Sequence, residues 1–199
     1  MEDLDRYLST ELMDKHGGAI IQQMNKEQVM FVGDSLRKIG KAKGLKLLFR
    51  ASEHEFSAAK FHEKCDNKPH TLTLMRNEFG KTIGGYTPVC WNAVRSGYAP
   101  DPSLASFLLS VDLGEVFRLK DANKAIYCHT GYGPIFGGGH DMYISDGCNG
   151  NNNSGCNFPY SYDGNGKYEK NQQAWTALTG STNSNYFKVL EYEVYQVIL

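Results

Sequence analysis

The chain has 199 residues, enough to bury about two thirds of the surface its unfolded form exposes and to hold a core of its own. Its 21 Lys and Arg nearly cancel its 22 Asp and Glu, which excludes a molecule-wide field toward nucleic acid, membrane or acidic substrate and leaves only local patches. The five cysteines are odd in number and none is spaced as Cys-x-x-Cys, so reduced thiols in an intracellular protein are expected rather than a disulfide framework.

The opening residues MEDLDRYLSTELMDKHGG interrupt every apolar run with charge, which gives no secretory leader, and no later run approaches the ~18 apolar residues of a membrane span. The expected compartment is the cytoplasm, with the nucleus as the alternative. From Asp3 to Ile39 the apolar residues recur at spacings of three and four, predicting amphipathic helices broken at Gly17-Gly18 and near Asn25. RKIGKAKGLK, residues 37–46, carries five basic residues, no acid and two glycines, and is expected to be a boundary linker. The predicted organisation is therefore a helical extension over 1–44 and a second unit over 45–199.

Beyond residue 45 the period changes. Leu45–Arg50 suits a buried strand, and Ser57 is placed to cap a helix AAKFHEKC that sets Phe61 and Cys65 on one face. HTLTLMR and KTIGGYT, joined by NEFG, predict a hairpin. Further strands are expected over 106–112, 116–120, 125–129, 141–145 and 187–198. Most of the links are too short for helical crossovers, so antiparallel pairing in an α+β, sandwich-like fold follows. Residues 149–166, NGNNNSGCNFPYSYDGNG, are dominated by turn formers and predict a long surface loop.

The stretch YGPIFGGGHDMYISDG, residues 132–147, invites a phosphate-cradle interpretation and fails it. Counting a Walker motif from Gly133 puts Gly139 and His140 where Lys and Ser or Thr are needed, and a dinucleotide fingerprint from Gly131 meets Phe136 at its third glycine. No helix pattern follows to supply the N-terminal amides such a cradle uses. Gly137–Gly139 are expected instead to give close backbone packing or positive φ before a strand.

Other chemistries also lack their parts. His129, His140, Cys148 and Cys156 match no zinc spacing. The acidic run from Asp163 places Lys167 and Ala174 where a calcium loop needs ligands. Neither a metal nor a cofactor is expected. Cys128 and His129 are neighbours in an expected strand and so face opposite sides, which excludes a dyad and leaves Cys128 for the core. There is no Gly-x-Ser-x-Gly elbow; convergence of Asp141, Glu191 and Glu193 as a carboxylate site stays open. Arg37, Lys38, Lys41, Lys43 and Lys46 could contact phosphates, though without interleaved aromatics. Cys148 and Cys156, in the polar loop, could act as exposed redox-sensing thiols.

The order of LLFRAS, FSA and FH, then TLTL with GGY, then SFL, FGGGHDMYIS and the terminal FKVLEYEVYQV resembles a TLDc domain of the form found in many single-celled eukaryotes, over residues 45–199. The resemblance implies a two-sheet β-sandwich flanked by short helices. It also implies a non-enzymatic role tied to oxidative-stress resistance and, for several members, to binding of the vacuolar proton ATPase. By position Gly137, Gly138 and Gly139 would be the family's glycine motif and Glu193 its acidic residue in the last strand; His140 and Asp141 depart from the pattern. The leading expectation is an interaction domain that meets a protein partner through loops at one edge, with His140 and Asp141 as partner contacts and the N-terminal helices supporting the domain or mediating self-association. The alternatives are a DNA-binding stress regulator and a cysteine-based redox sensor.

Overall fold

The computed structural model describes residues 18–40 and 42–199; the helical pattern expected before Gly18, and Lys41, lie outside the described residues. In chain order the strands are β1 (Gly44–Arg50), β2 (Thr71–Asn77), β3 (Thr82–Thr87), β4 (Gly97–Ala99), β5 (Phe107–Ser110), β6 (Glu115–Arg118), β7 (Ile126–Cys128), β8 (Tyr132–Phe136), β9 (Met142–Ser145), β10 (Ser154–Gly155), β11 (Tyr186–Phe187) and β12 (Val189–Ile198). The helices are α1 (Ala19–Gln22), α2 (Lys26–Arg37), α3 (Ala58–Cys65) and α4 (Gln172–Thr179).

The strands form two antiparallel sheets of six, ordered β1-β12-β2-β3-β5-β6 and β11-β10-β9-β8-β7-β4. The expected hairpin is present, with Thr71 opposite Thr87 and Met75 opposite Ile83. β12 inserts between β1 and β2, so the last strand is an inner strand of the first sheet, covered at its edge by β1.

Two apolar layers result. Met75, Ile83, Leu108, Phe117 and Val194 of the first sheet meet Ile126, Phe136, Met142, Ile144 and Phe187 of the second, with Phe61 and Cys65 of α3 and Ala174 and Leu178 of α4 closing the sides. The opposite face of the first sheet carries Leu72, Leu74, Tyr86, Phe107, Leu109 and Tyr195, and it is covered by Ile20, Val29, Val32 and Leu36 of α1 and α2. Thr71, Leu72, Thr73, Leu74 and Met75 of β2 are consequently all buried, as expected of a strand covered on both faces.

Local signals explain the helix starts. Asn25 and Gln28 form a reciprocal capping box at the head of α2, and Ser57 caps α3 by accepting from the Lys60 amide at 3.4 Å. Between α2 and β1, Ile39 and Ala42 pack on the helix-covered core. Ile20 and Ile21 of α1 and Val29, Val32 and Leu36 of α2 are buried against the chain's own sheet.

One expectation is corrected. Residues 149–166 do not simply wrap the surface: Cys156, Phe158 and Tyr162 reach the inter-sheet core. β8, not among the expected strands, runs through YGPIF, and a register shift between Tyr132 and Ile135 accommodates Pro134.

Candidate functional site

The glycine stretch forms the turn between β8 and β9, and it is enclosed from both sides. Gly137 has φ +83°, and a Cβ there would overlap the Asp141 carboxylate. A Cβ on Gly138 would overlap the Lys124 side chain, and one on Gly139 the Tyr160 ring. His140 completes the turn with φ +57°, a left-handed conformation that a non-glycine residue adopts only when its surroundings hold it there.

What holds it is Asp141. This carboxylate is fully buried and accepts from the backbone amides of Tyr160 and of Ser161, the latter at 2.9 Å, while Ser161 Oγ accepts from the Gly138 amide at 2.8 Å. Burial raises the Asp141 carboxyl to about 6, against the opposing pull of the amides of Ser161, Tyr160 and Tyr162 and the charge of Lys120. Asp141 is thus corrected from a partner contact to an internal staple between the turn and the 158–162 loop. His140 is half-buried, its ring against Tyr127 and Tyr143 at 5.4 and 5.5 Å, and burial pushes its imidazole below the ordinary value.

The exposed groups around the turn come from elsewhere in the chain. Tyr98 of β4 is 41% exposed, donates its hydroxyl to Gly138 O at 2.7 Å and lies beneath the Lys124 ammonium, 5.8 Å from the ring centroid. On the other side Tyr160 is 45% exposed, with Lys170 Nζ 4.5 Å from its centroid. Two tyrosine–lysine pairs therefore flank three glycines that have no side chains to rise above them. Their separation in sequence, 98, 124, 160 and 170, hid them; no local motif joins them, although the absence of Cβ atoms at 137–139 did announce close packing there.

Glu193 belongs to a different place. It lies fully buried in β12 and accepts from Ala19 N at 2.7 Å, Ile20 N at 3.1 Å, Arg50 Nε at 2.7 Å and Tyr195 Oη at 2.6 Å. Tyr195 Oη in turn accepts from Gly18 N at 3.1 Å, and a Cβ on Gly18 would overlap the Glu193 carboxylate. The acidic residue of the last strand is therefore the anchor for the start of α1. The two-residue spacing of Glu193 and Tyr195, which puts both on one face of a strand, was the available signal for their partnership.

The remaining candidates stay apart. Glu191 accepts from Ser52 N at 3.1 Å, so Asp141, Glu191 and Glu193 serve three separate contacts and do not converge. Cys148 and Cys156 are both buried, and burial pushes each thiol up to about 12. The expectation that they are exposed, reactive thiols is corrected, because the thiolate is the reactive form. Of the basic run, Arg37 meets Asp34 at 3.5 Å, Lys43 Nζ donates to Leu199 O at 3.1 Å, and Lys38 and Lys46 are exposed. Among the described residues no group of three or more His, Cys, Asp or Glu is gathered to hold a metal ion, and no helix is long and apolar enough to cross a membrane.

A family model described as the TLDc domain matches residues 16–198. The matched span takes in α1 and α2, which lie ahead of the motifs that carry the sequence resemblance. A comparison with curated proteins finds no match.

Proposed function

Because the chain belongs to the TLDc domain family, we propose that it is a non-enzymatic interaction domain that docks an acidic protein surface on the patch around its glycine turn. One observation carries this: Tyr98 with Lys124 and Tyr160 with Lys170 present two half-exposed rings, each beside an ammonium, on either side of a rigid turn. Tyrosine is an anchor residue of protein interfaces because it buries large area at small entropic cost. The adjacent lysines select for carboxylates and speed encounter with an acidic partner. The turn, fixed by Asp141 and Ser161, is pre-organised, so little ordering cost is left for binding.

The partner we propose is a subunit of the vacuolar proton ATPase, in the cytoplasm, with protection against oxidative stress as the consequence; the family resemblance supports both. The test is binding of the full chain to purified vacuolar ATPase, followed by biolayer interferometry. Tyr98→Ala with Tyr160→Ala, and separately Lys124→Glu with Lys170→Glu, are expected to weaken binding by about tenfold or more. Absence of binding by the unmodified chain removes the ATPase as partner, and undiminished binding by both variants removes the patch.

A further inference from the structure

On the second sheet, at the end of the β8–β9 pair away from the glycine turn, lies an open cleft of about 390 Å³, within the size range of small-ligand sites. Tyr132, Tyr143 and Tyr186 line it together with Ser145, Asp146 and Asn153. The rings of Tyr132 and Tyr143 stand 6.3 Å apart at 64°, two walls of a corner. Tyr143 and Tyr186 are each paired opposite Gly155 of β10, and a Cβ on Gly155 would come within 2.6 Å of Tyr143 Oη. The glycine therefore lets Tyr143 lean across β10 toward Tyr186. Tyr143 is 7% exposed and Tyr186 is 50% exposed, so one ring lies at the base and the other at the rim.

The charge of the cleft is one-sided. None of its lining side chains is cationic, and its single formal charge is the Asp146 carboxylate, fixed by accepting from Ala58 N through Oδ1 at 2.7 Å. Ring faces are negative at their centres and attract cations, most strongly those with weakly held water, and several rings at an angle around one carboxylate match a methylated ammonium. A phosphate or carboxylate ligand would meet like charge here, and a neutral polyol would gain nothing from it.

We propose that this cleft binds a methylated ammonium group, carried by a small choline-like molecule or by a methylated lysine side chain, with Tyr132, Tyr143 and Tyr186 as the cage and Asp146 as the counter-charge. The proposal goes beyond the docking function above, and none of these residues belongs to the Tyr98, Lys124, Tyr160 and Lys170 patch. The experiment is titration of the full chain, followed by NMR, with choline, Nε-trimethyllysine, unmodified lysine, glucose and 3,3-dimethylbutan-1-ol, the last having the shape of choline without its charge. Saturable binding of choline or of trimethyllysine is expected, about tenfold tighter than the neutral isostere or glucose; which of the two cations binds identifies the source. Tyr186→Ala, at an exposed position, and Asp146→Asn, which keeps an acceptor for Ala58 N, should each weaken that binding roughly fivefold with the melting temperature unchanged. No binding of either methylated cation, equal binding of the neutral isostere or of glucose, or variants that bind as the unmodified chain does would each overturn the proposal.

Discussion

Asp141 shows how a residue that sequence alone places at a surface can be internal. Next to a histidine and after three glycines it has the polarity of a loop contact, yet the turn rotates it inward, where two amides receive it. Its carboxyl is raised to about 6 by burial, so between its unfolded value near 4 and about 6 the folded protein holds a proton that the unfolded chain has lost. Stability from this group is therefore fully present at low pH and is lost as pH rises through about 6, opposite to an ion-paired carboxylate. Urea denaturation of the native chain and of Asp141→Asn at pH 7 and pH 5 should show the difference moving in favour of the native chain at pH 5, by on the order of 1 kcal/mol; movement the other way rejects the assignment. The glycine before it can be tested by its conformation and by its crowding at once. Gly137→Ala meets both a positive φ and the Asp141 carboxylate and should cost about 3 kcal/mol or more. Gly114→Ala, also at positive φ but with nothing within 4 Å of the new Cβ, should cost about 1 kcal/mol.

At the scale of elements, what could be read in advance follows from which forces are local. The α3 helix was legible because Ser57 and the apolar spacing of Phe61 and Cys65 are written in nine consecutive residues, and the β2–β3 hairpin because alternation and turn residues adjoin. β4, β10 and β11 were not, since two or three residues carry no period. α4 went unread although Asn171 caps it and Gly180 ends it at φ +78°, both usable boundary signals. Hardest to foresee was what fixes α1: its helical spacing was readable, but a four-residue helix is too short to persist by itself, and it is Glu193 of β12 that holds its amides. Removing that carboxylate strands the amides of Ala19 and Ile20 and Arg50 Nε, leaving Arg50 with Glu53 alone. Glu193→Ala should cost roughly 3–5 kcal/mol, the range for breaking one side of a buried ion pair, and hydrogen exchange should quicken first in residues 18–37. Unchanged protection there, with loss elsewhere, would mean that α1 and α2 are held by packing alone.

For the whole molecule, the order of layers decides where the domain begins. A sandwich of two sheets needs one shared core, and a β-sheet with an outward polar face could end there. Here the first sheet is apolar on both faces: Leu72, Leu74, Phe107 and Leu109 lie under α1 and α2 and are fully buried or nearly so. The sequence motifs after residue 45 identify both sheets, yet they leave this outer face without its cover; the cover is encoded in 18–39, where the helical period was readable but its destination was not. A chain of residues 45–199 is therefore expected to expose a continuous apolar surface of the kind that drives association, whereas residues 16–199, which take in the whole span of the family match, 16–198, should stay monomeric. Size-exclusion chromatography with dye binding to exposed apolar surface compares the two. The shorter chain should associate, bind dye strongly and melt at least about 10 °C lower, since losing a packed layer removes several kcal/mol. Equal behaviour of the two would make residues 18–44 an appendage, and Glu193 would then be a buried charge whose amide partners the fold can do without.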